Sequence, residues 1–281
     1  FFHFIESLWM LAGRKDLAPL TYFVKSMSDF SDDGETLWGA YGWRWQSYFG
    51  RDQLPLIIDM LKKDPNDRRA VLQMWDSIKD LGREGKDVPC NTNIYFKVRE
   101  GSLNMTVCCR SNDAVWGAYG ANVVHMSILQ EYMATIGVGI GTYRQISDSF
   151  HVYTDSPVWN KVKDLKIDPY NYRSYSNPYW KLDGYTRSSL ITNKTCFHWE
   201  LDRFFNTHPN DMDNKGWENP ALKDIAVPMT MVYAKHKQKD HKAVYELLTQ
   251  IKPMDWKTAC FNWIRKRDKS YNNAEQGEKD E

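Results

Sequence analysis

Two β-rich runs separated by a short turn constrain the fold of this 281-residue chain more than any other feature. The runs TNIYFKV (92–98) and LNMTVCC (103–109) flank the segment REGS, which contains a glycine. β-Branched and aromatic residues are enriched in strands, and a short glycine-containing connection joins antiparallel neighbours. The sequence therefore predicts a β-hairpin, against which the remaining elements must pack.

Helical patterns and further strand patterns lie on both sides of this hairpin. The helical patterns predict a mostly buried helix at 2–13 ended by Gly13, an amphipathic helix followed by an Asp-Pro turn and two arginines at 52–69, a helix at 121–137 and helices after 219. The strand patterns predict strands at 70–75 and 143–153. Hairpins beside helices favour an α+β fold over a doubly wound parallel sheet.

Composition and spacing exclude several classes of function. The net charge of +1 gives no basic field for nucleic acid, and no apolar run approaches the roughly 18–20 residues of a membrane span. Five cysteines, an odd number without regular spacing, predict free thiols in a reducing, cytoplasmic setting. No CxxC or HExxH spacing indicates a metal site, and no glycine-rich phosphate loop is present.

Two residues in apolar surroundings need an explanation. Cys90 follows Pro89 at the start of the alternating run NTNIYF, and it is either a small buried hydrophobe or a nucleophile on a turn before a strand. Glu6 interrupts an apolar helix, so its carboxylate must be paired, face a cavity or have a raised pKa.

Several motifs occur in an order that indicates a family. They are ESLWMLAG, WGAYGWRWQ, DPNDRRAVLQMW, PCNTNIYF, CCRSNDAVWG and FHVY. This pattern resembles the thymidylate synthase and deoxycytidylate hydroxymethylase superfamily over about residues 2–155, and residues 156–281 carry no recognised pattern. The resemblance implies a thymidylate synthase-like fold, with a mixed sheet, flanking helices and an additional helical C-terminal region.

The resemblance implies a catalytic set of four residues. Cys90 adds as a thiolate to C6 of a pyrimidine nucleotide, which makes C5 a carbon nucleophile, and Arg110 is expected to lower the pKa of that thiol. Glu6 resembles the general acid–base that organises a water molecule, with Tyr41 in its network, and an apolar setting that raised its pKa would suit that task. Asp113 resembles the carboxylate that engages the folate and assists proton movement.

The resemblance also implies the binding residues. The phosphate clamp is Arg68, Arg69, Arg110 and Ser111, the sugar 3′-hydroxyl contacts His151 and Tyr153, and the folate contacts Asp113, Gly117 and Trp38. Arg68 and Arg69 reach the site of a second subunit, which implies a homodimer. Taken alone, the two arginines could be a solvated turn, and the two rings could be satisfied core residues.

Departures from the family pattern favour hydroxymethylation over methylation. Asn91 stands where thymidylate synthases usually have His, and the stretches CNTN and RSND are closer to the hydroxymethylase branch. The C-terminal tail that closes over folate and excludes water is not visible. If the segment GAYGAN holds a one-residue insertion, Asn122 reads uracil; the alternative is that Asn122 only caps the following helix.

The sequence as a whole predicts 5-hydroxymethylation of dUMP, or of dCMP, with 5,10-methylenetetrahydrofolate and water and without a metal. Thymidylate synthase activity and a non-catalytic nucleotide-binding homologue are the alternatives. The expected regions are a catalytic core at 1–155, an aromatic-rich remainder at 156–235 and a helical extension at 236–281 with a disordered acidic tail. The expected location is the cytoplasm, which is that of the host cell if the gene is viral.

Overall fold

The computed structural model describes residues 1–164 and 189–268, which fall into two compact units. The first unit comprises residues 2–164, and the second comprises Phe1 with residues 189–268. The acidic tail and part of the aromatic-rich segment named above lie outside the described residues. The first unit extends beyond residue 155, where the predicted catalytic core ends. The division of the chain into the three expected regions stays a prediction.

The first unit combines helices with a four-stranded sheet. Its helices are α1 (Phe2–Leu11), α2 (Ala18–Phe23), α3 (Tyr41–Trp43), α4 (Gln53–Lys63), α5 (Val123–Ala134) and α6 (Pro157–Val162). Its strands are β1 (Val71–Gln73), β2 (Asn91–Arg99), β3 (Ser102–Asp113) and β4 (Gly139–His151). The helices and strands predicted within this unit are therefore present, although several begin or end a few residues away from the predicted bounds.

The sheet is mixed, in the order β1-β2-β3-β4. β2 pairs antiparallel with β1 and β3, and β4 pairs parallel with β3 after a helical crossover. The predicted hairpin turns at Glu100 and Gly101, both of which have positive φ (51° and 69°). Two such residues form the primed turn whose twist matches that of the flanking strands. The predicted α+β fold with a mixed sheet is thus confirmed.

One face of the sheet forms the core of this unit. The buried side chains of the hairpin are Ile94, Phe96, Val98, Leu103, Met105 and Val107. α5 packs on β3 and β4, where Gln130 Nε2 donates to the carbonyl oxygens of Leu103 (2.8 Å) and Gly141 (3.2 Å). α1 packs on α5. The opposite face carries exposed side chains, among them Tyr95, Arg144 and Ile146.

A buried ion pair joins Arg44, at the start of a π-helix that follows α3, to Asp80 in the connection between β1 and β2. Arg44 donates to the carboxylate of Asp80 through Nη1 (2.7 Å) and Nη2 (2.8 Å), and both side chains are 0% exposed. Trp38 Nε1 also donates to Asp80, at 2.7 Å, and Arg44 Nη1 donates to the carbonyl of Met74. A charge with no access to water requires such a complete set of partners.

The second unit is helical where it is described. Its helices are α7 (Lys194–Asn206), α8 (Val227–Lys237), α9 (His241–Leu248) and α10 (Met254–Arg267). Buried Glu200 accepts hydrogen bonds from the backbone N–H and the side-chain amide of Asn219, at 3.2 and 2.8 Å. The helices predicted after 219 are confirmed, and the predicted boundary between 235 and 236 falls inside α8. Among the described residues, no helix has both the length and the apolar character needed to cross a membrane.

Candidate active site

A cavity of about 320 Å³ opens in the first unit. Nine of the residues predicted for the site line it: Glu6, Tyr41, Cys90, Ser111, Asp113, Gly117, Asn122, His151 and Tyr153. A concave site lined by apolar walls and a few convergent polar groups is the usual form of a small-molecule site. The residues predicted from separate motifs are therefore brought together in one place.

Sheet topology explains this convergence. β3 and β4 run parallel, so Asp113 and His151, which are register partners, lie at the same edge of the sheet. β2 runs the other way, and Asn91 pairs with Cys109 near the end of β3. The start of β2, with Cys90 immediately before it, therefore lies at the same edge as the ends of β3 and β4.

Cys90 is a half-buried free thiol whose pKa is raised, which corrects the prediction of a lowered value. Burial is the main cause, the nearby carboxylate of Asp87 adds to it, and only Arg110 acts in the opposite direction. Asp87 also lines the cavity, where its carboxylate accepts a hydrogen bond from the backbone N–H of Gly39 at 2.7 Å. Asp87 stands only three residues before Cys90, so this second charge is visible in the sequence although it was not singled out there.

Arg110 holds the loop that carries Cys90. Its Nε donates to the carbonyl oxygen of Pro89 and its Nη2 to that of Val88, both at 2.9 Å. The backbone N–H of Arg110 donates to the carbonyl of Cys90, also at 2.9 Å. The side chain is exposed and does not line the cavity within the described residues, so it stands beside the nucleophile rather than in the cavity wall.

Asn122 is buried at the cavity wall in a chain of amides. Its Oδ1 accepts from Asn91 Nδ2 at 3.2 Å, and its Nδ2 donates to Asn112 Oδ1 at 3.0 Å. It makes no capping hydrogen bond to α5, so the alternative that it only caps the helix is wrong. Gly117 leaves room for this network, because a Cβ there would lie 2.5 Å from Asn112 Oδ1.

The segment before Asn122 is a π-helix, Ala114–Asn122. A π-helix closes i→i+5 hydrogen bonds, so each turn holds about one residue more than an α-helical turn. This winding accommodates the one-residue insertion that the sequence needs if Asn122 is to occupy the base-reading position. Sequence periodicity gives no sign of such winding.

Glu6 is ionised rather than protonated. Burial acts to raise its pKa, but His125 and His3 outweigh burial and lower the pKa to about 2. Of the three alternatives that the sequence left open for Glu6, the structure therefore shows a paired carboxylate that lines a cavity, and the raised pKa is the one that does not hold. His125, on α5, had not been singled out from the sequence, and its contact with α1 could not be read from local spacing.

Tyr41 and Asp113 both contact the backbone near the cavity. Tyr41 Oη accepts a hydrogen bond from the backbone N–H of Asn91 at 3.1 Å, and burial together with Cys90 raises the pKa of this phenol well above 10. The carboxylate of Asp113 accepts from the backbone N–H of Trp116 and so begins the π-helix. The exposed indole of Trp116 is a further part of the cavity lining that the sequence reading missed.

His151 and Tyr153 lie side by side, although Tyr153 follows the end of β4. Their ring centroids are 5.1 Å apart at an angle of 87°, and both rings line the cavity. Nδ1 of His151 lies 3.2 Å from Ser149 Oγ. The alternative that both rings are satisfied core residues is wrong for Tyr153, which is exposed.

Four of the thirteen predicted residues lie outside the cavity lining found among the described residues: Arg110, described above, and Trp38, Arg68 and Arg69. Trp38 is held by Asp80, as described above, and the neighbouring wall is formed by Leu37 and Gly39 instead. Arg68 and Arg69 are exposed, and Arg69 pairs with Asp67 at 2.7 Å. The structure therefore brings neither arginine, nor Trp38, to the site formed by its own chain.

Comparison with known proteins identifies the family of this chain. The sequence model of the thymidylate synthase family matches residues 3–168. The chain belongs to the thymidylate synthase family. The match covers the first unit, including every residue that lines the cavity except Phe2.

The relatives of this thymidylate synthase family member include phage enzymes. A protein of Pseudomonas phage M6 named deoxyuridylate hydroxymethyltransferase is 42% identical over 95% of this chain and 77% of its own. One of the same name from Bacillus phage SP01 is 42% identical over 76% of this chain and 59% of its own. A putative thymidylate synthase of Methanosarcina barkeri is 35% identical over 45% of this chain and 57% of its own. The chain thus spans less than two thirds of the second and third relatives.

Proposed function

We propose that this chain catalyses the folate-dependent 5-hydroxymethylation of dUMP. The observation that carries the proposal is the sharing of one cavity by the Cys90 thiol and the Asn122 amide, in a member of the thymidylate synthase family. The phage relatives named deoxyuridylate hydroxymethyltransferases, one of them similar over almost the whole chain, support the choice of reaction. dCMP is the less favoured substrate, because the amide of Asn122 matches uracil better than cytosine.

Asn122 favours uracil over cytosine. Its amide can donate to O4 and accept from N3–H of uracil, whereas the N4 amine of cytosine is better matched by a carboxylate. Contacts with Asn91 and Asn112 hold the amide in one orientation at the cavity wall. A buried amide that is already fixed discriminates strongly, because the wrong base would leave its polar atoms unpaired.

Cys90 serves as the nucleophile. Its sulfur forms a bond to C6 of the base, and the electrons of the C5–C6 double bond move toward C4–O4, which makes C5 nucleophilic. Arg110 stabilises the thiolate by charge and fixes the loop through the carbonyls of Val88 and Pro89. Glu6, ionised at neutral pH, is available as the base of the later steps.

The walls near the π-helix suit a folate. Asp113 supplies a carboxylate for the pterin, and Trp116 adds an exposed aromatic face, with Gly117 beside it in the cavity lining. 5,10-Methylenetetrahydrofolate supplies the one-carbon unit at the oxidation level of formaldehyde. Ser111 and Arg110 are the phosphate ligands that this chain offers to its own site, with His151 and Tyr153 for the sugar hydroxyl.

A homodimer completes the phosphate site in this proposal. Arg68 and Arg69 are exposed and outside the cavity lining of their own chain, as residues that serve a second subunit should be. The outer face of the sheet exposes Tyr95 and Ile146, which gives the two copies an apolar surface to share. We expect this dimer to act in the cytoplasm of a phage-infected cell, as the phage relatives suggest.

Product analysis tests the proposed reaction. Incubation of the protein with dUMP tritiated at C5 and methylenetetrahydrofolate should release tritium and form 5-hydroxymethyl-dUMP, without dihydrofolate. The Cys90→Ala variant is the control and should do neither. Formation of dTMP with an equivalent of dihydrofolate would contradict the proposal and favour thymidylate synthase activity. This second candidate function is suggested by the archaeal relatives, which are named putative thymidylate synthases.

A covalent trap tests whether the chain is an enzyme at all. 5-Fluoro-dUMP cannot lose its C5 substituent as a proton, so with methylenetetrahydrofolate it should form a stable adduct at Cys90, detectable by mass spectrometry. A wild-type protein that binds the nucleotide but forms no adduct would instead be a non-catalytic homologue.

Subunit complementation tests the dimer. Cys90→Ala and a double variant, Arg68→Ala with Arg69→Ala, should each be weak or inactive alone. Mixed dimers carry one site with both an intact thiol and intact arginines, so mixing equal amounts should restore about a quarter of wild-type activity. If the mixture is no more active than its parts, the arginines do not act across subunits.

A further inference from the structure

Two histidines converge on one oxygen of Glu6. His125 Nε2 lies 2.8 Å from Glu6 Oε2, and His3 Nδ1 lies 3.5 Å from the same atom. His3 and Glu6 are one turn apart on α1, while His125 projects from α5, which packs against α1. The side chain of His125 is 3% exposed, so the contact is shielded from water.

This arrangement has a direct physical consequence for the carboxylate. A buried carboxylate without partners takes up a proton, because the charged form loses its hydration. Both imidazoles counter that tendency, and the pKa of Glu6 falls to about 2. Since the described contacts all involve Oε2, Oε1 is the oxygen left to accept a proton from a group in the cavity.

We propose that His125, assisted by His3, is a positioning residue that holds Glu6 as an ionised base for the water molecule that completes the reaction. The inference rests on the proposed function and concerns its last chemical steps. His125 acts through Glu6 and does not touch the reacting atoms.

Water adds to the covalent intermediate with Glu6 as the base. An exocyclic methylene at C5 of the base accepts the water oxygen, which forms the C–O bond of the hydroxymethyl group, while Glu6 takes the water proton. The π electrons of the methylene move to C4–O4 as an enolate. When the enolate collapses, the C5–C6 double bond forms again, the C6–S bond breaks and Cys90 leaves as a thiolate.

Other titratable groups share the cavity and must be considered in any pH profile. Besides His3 and His125, they are Tyr41, Asp87, Cys90, Asp113, His151 and Tyr153. Removal of His125 should raise the pKa of Glu6, so the acidic limb of product formation moves to higher pH. The part of the pH profile that depends on ionisation of Cys90 should stay where it is. The contributions of Glu6 and Cys90 to the profile can therefore be separated.

The experiment compares His125→Leu, which removes the partner, with His125→Gln, which keeps a side-chain donor without a charge. Ser127→Ala, an exposed position on the same helix, is the matched control. The first readout is adduct formation with 5-fluoro-dUMP, which precedes the water step. The second is the partition of dUMP between 5-hydroxymethyl-dUMP and a thioether formed when a small thiol captures the methylene.

We expect His125→Leu to form the adduct at nearly the wild-type rate but to make 5-hydroxymethyl-dUMP on the order of 100-fold more slowly. The thioether should become the main product, the acidic limb should move upward, and His125→Gln should recover part of the loss. Equal losses of adduct and product would mean that His125 only supports the fold, and an unchanged partition would exclude any role in the water step. Either result overturns the inference.

Two further outcomes are distinguishable. The three donor atoms lie within 4.8 Å of one another, so a cation could also be held there. If the purified protein contains one equivalent of zinc, iron or manganese, and a chelator abolishes product formation, the histidines are metal ligands and the positioning role is wrong. Absence of hydroxymethyl product from the wild-type protein would instead refute the proposed function itself.

Discussion

Arg110 donates to two successive carbonyl oxygens, those of Val88 and Pro89, each at 2.9 Å, directly before the thiol of Cys90. The two bonds use different nitrogens of one planar group, so they fix both the position and the tilt of the loop. The side chain therefore has a mechanical function at the nucleophile in addition to its charge.

Replacement of Arg110 by lysine tests this mechanical function. Lysine keeps the charge but cannot donate to both carbonyls in the same geometry, and loss of one charge-assisted hydrogen bond is worth roughly 1.5–3 kcal/mol. Adduct formation with 5-fluoro-dUMP should therefore slow by about 10-fold to 100-fold. Arg99→Lys, at the other end of β2, is the control and should leave the rate unchanged. An equal effect of both variants would mean that the loop does not depend on Arg110.

The two charges beside Cys90 predict that removing one or the other shifts, in opposite directions, the pH at which the thiol becomes reactive. Burial and Asp87 raise the pKa of the thiol, and Arg110 lowers it. Asp87→Asn removes a negative charge that disfavours the thiolate, so alkylation of Cys90 should begin at lower pH than in the wild type. Arg110→Gln should move it to higher pH. Alkylation by iodoacetamide, followed on the Cys90 peptide by mass spectrometry, separates this thiol from the other four. Shifts in the same direction for both variants would contradict the assignment.

Asn122→Asp should change the preferred base. A carboxylate can accept from the N4 amine of cytosine but cannot donate to O4 of uracil. We expect kcat/KM for dUMP to fall by at least about 100-fold and turnover of dCMP to appear or increase. Asn104→Asp on β3 is a suitable control, because Asn104 accepts from the N–H of Thr142, which a carboxylate can do equally well. A uniform loss for both nucleotides would indicate damage to the amide network rather than a change of specificity.

Local patterns were sufficient to predict the hairpin, and the family motifs were sufficient to place nine of the thirteen predicted site residues in the cavity lining. Glu100 and Gly101 occupy the predicted turn, and Cys90, Asp113 and His151 lie at one edge of the sheet. These predictions succeed because strand propensity, turn chemistry and strand direction are encoded within a few residues.

The errors concern the partners of buried or partly buried groups. Two of these partners lie far away in the sequence, and one, Asp87, lies only three residues before Cys90. The pKa of Glu6 is low because His125 faces it from another helix, and the pKa of Cys90 is raised partly because Asp87 is near. Trp38 was assigned to the folate, but Asp80 holds its indole elsewhere. Spacing and composition carry no information about which side chain meets a charge across the fold.

The buried pair of Arg44 and Asp80 predicts the largest effect on stability. Either Arg44→Met or Asp80→Asn leaves a partner without its counter-charge in the interior, which costs about 3–5 kcal/mol in the free energy of unfolding. Arg14→Met is the matched control, since the pair Arg14 and Asp16 is partly exposed (24% and 38%) and is worth at most about 1 kcal/mol. Urea denaturation followed by tryptophan fluorescence measures the three changes.

The same pair predicts how stability depends on pH. Burial acts to raise the pKa of Asp80, but Arg44, the N–H of Asp76 and the indole of Trp38 outweigh it, so the pKa in the folded state lies below 3.8. A lowered pKa means that the stabilisation is present above pH 3.8 and is lost as the pH falls through the folded-state value. The wild type should therefore lose part of its advantage over Asp80→Asn in that acidic range and keep it at neutral pH. A constant difference between the two proteins down to pH 2 would show that Asp80 is not held as a carboxylate by Arg44.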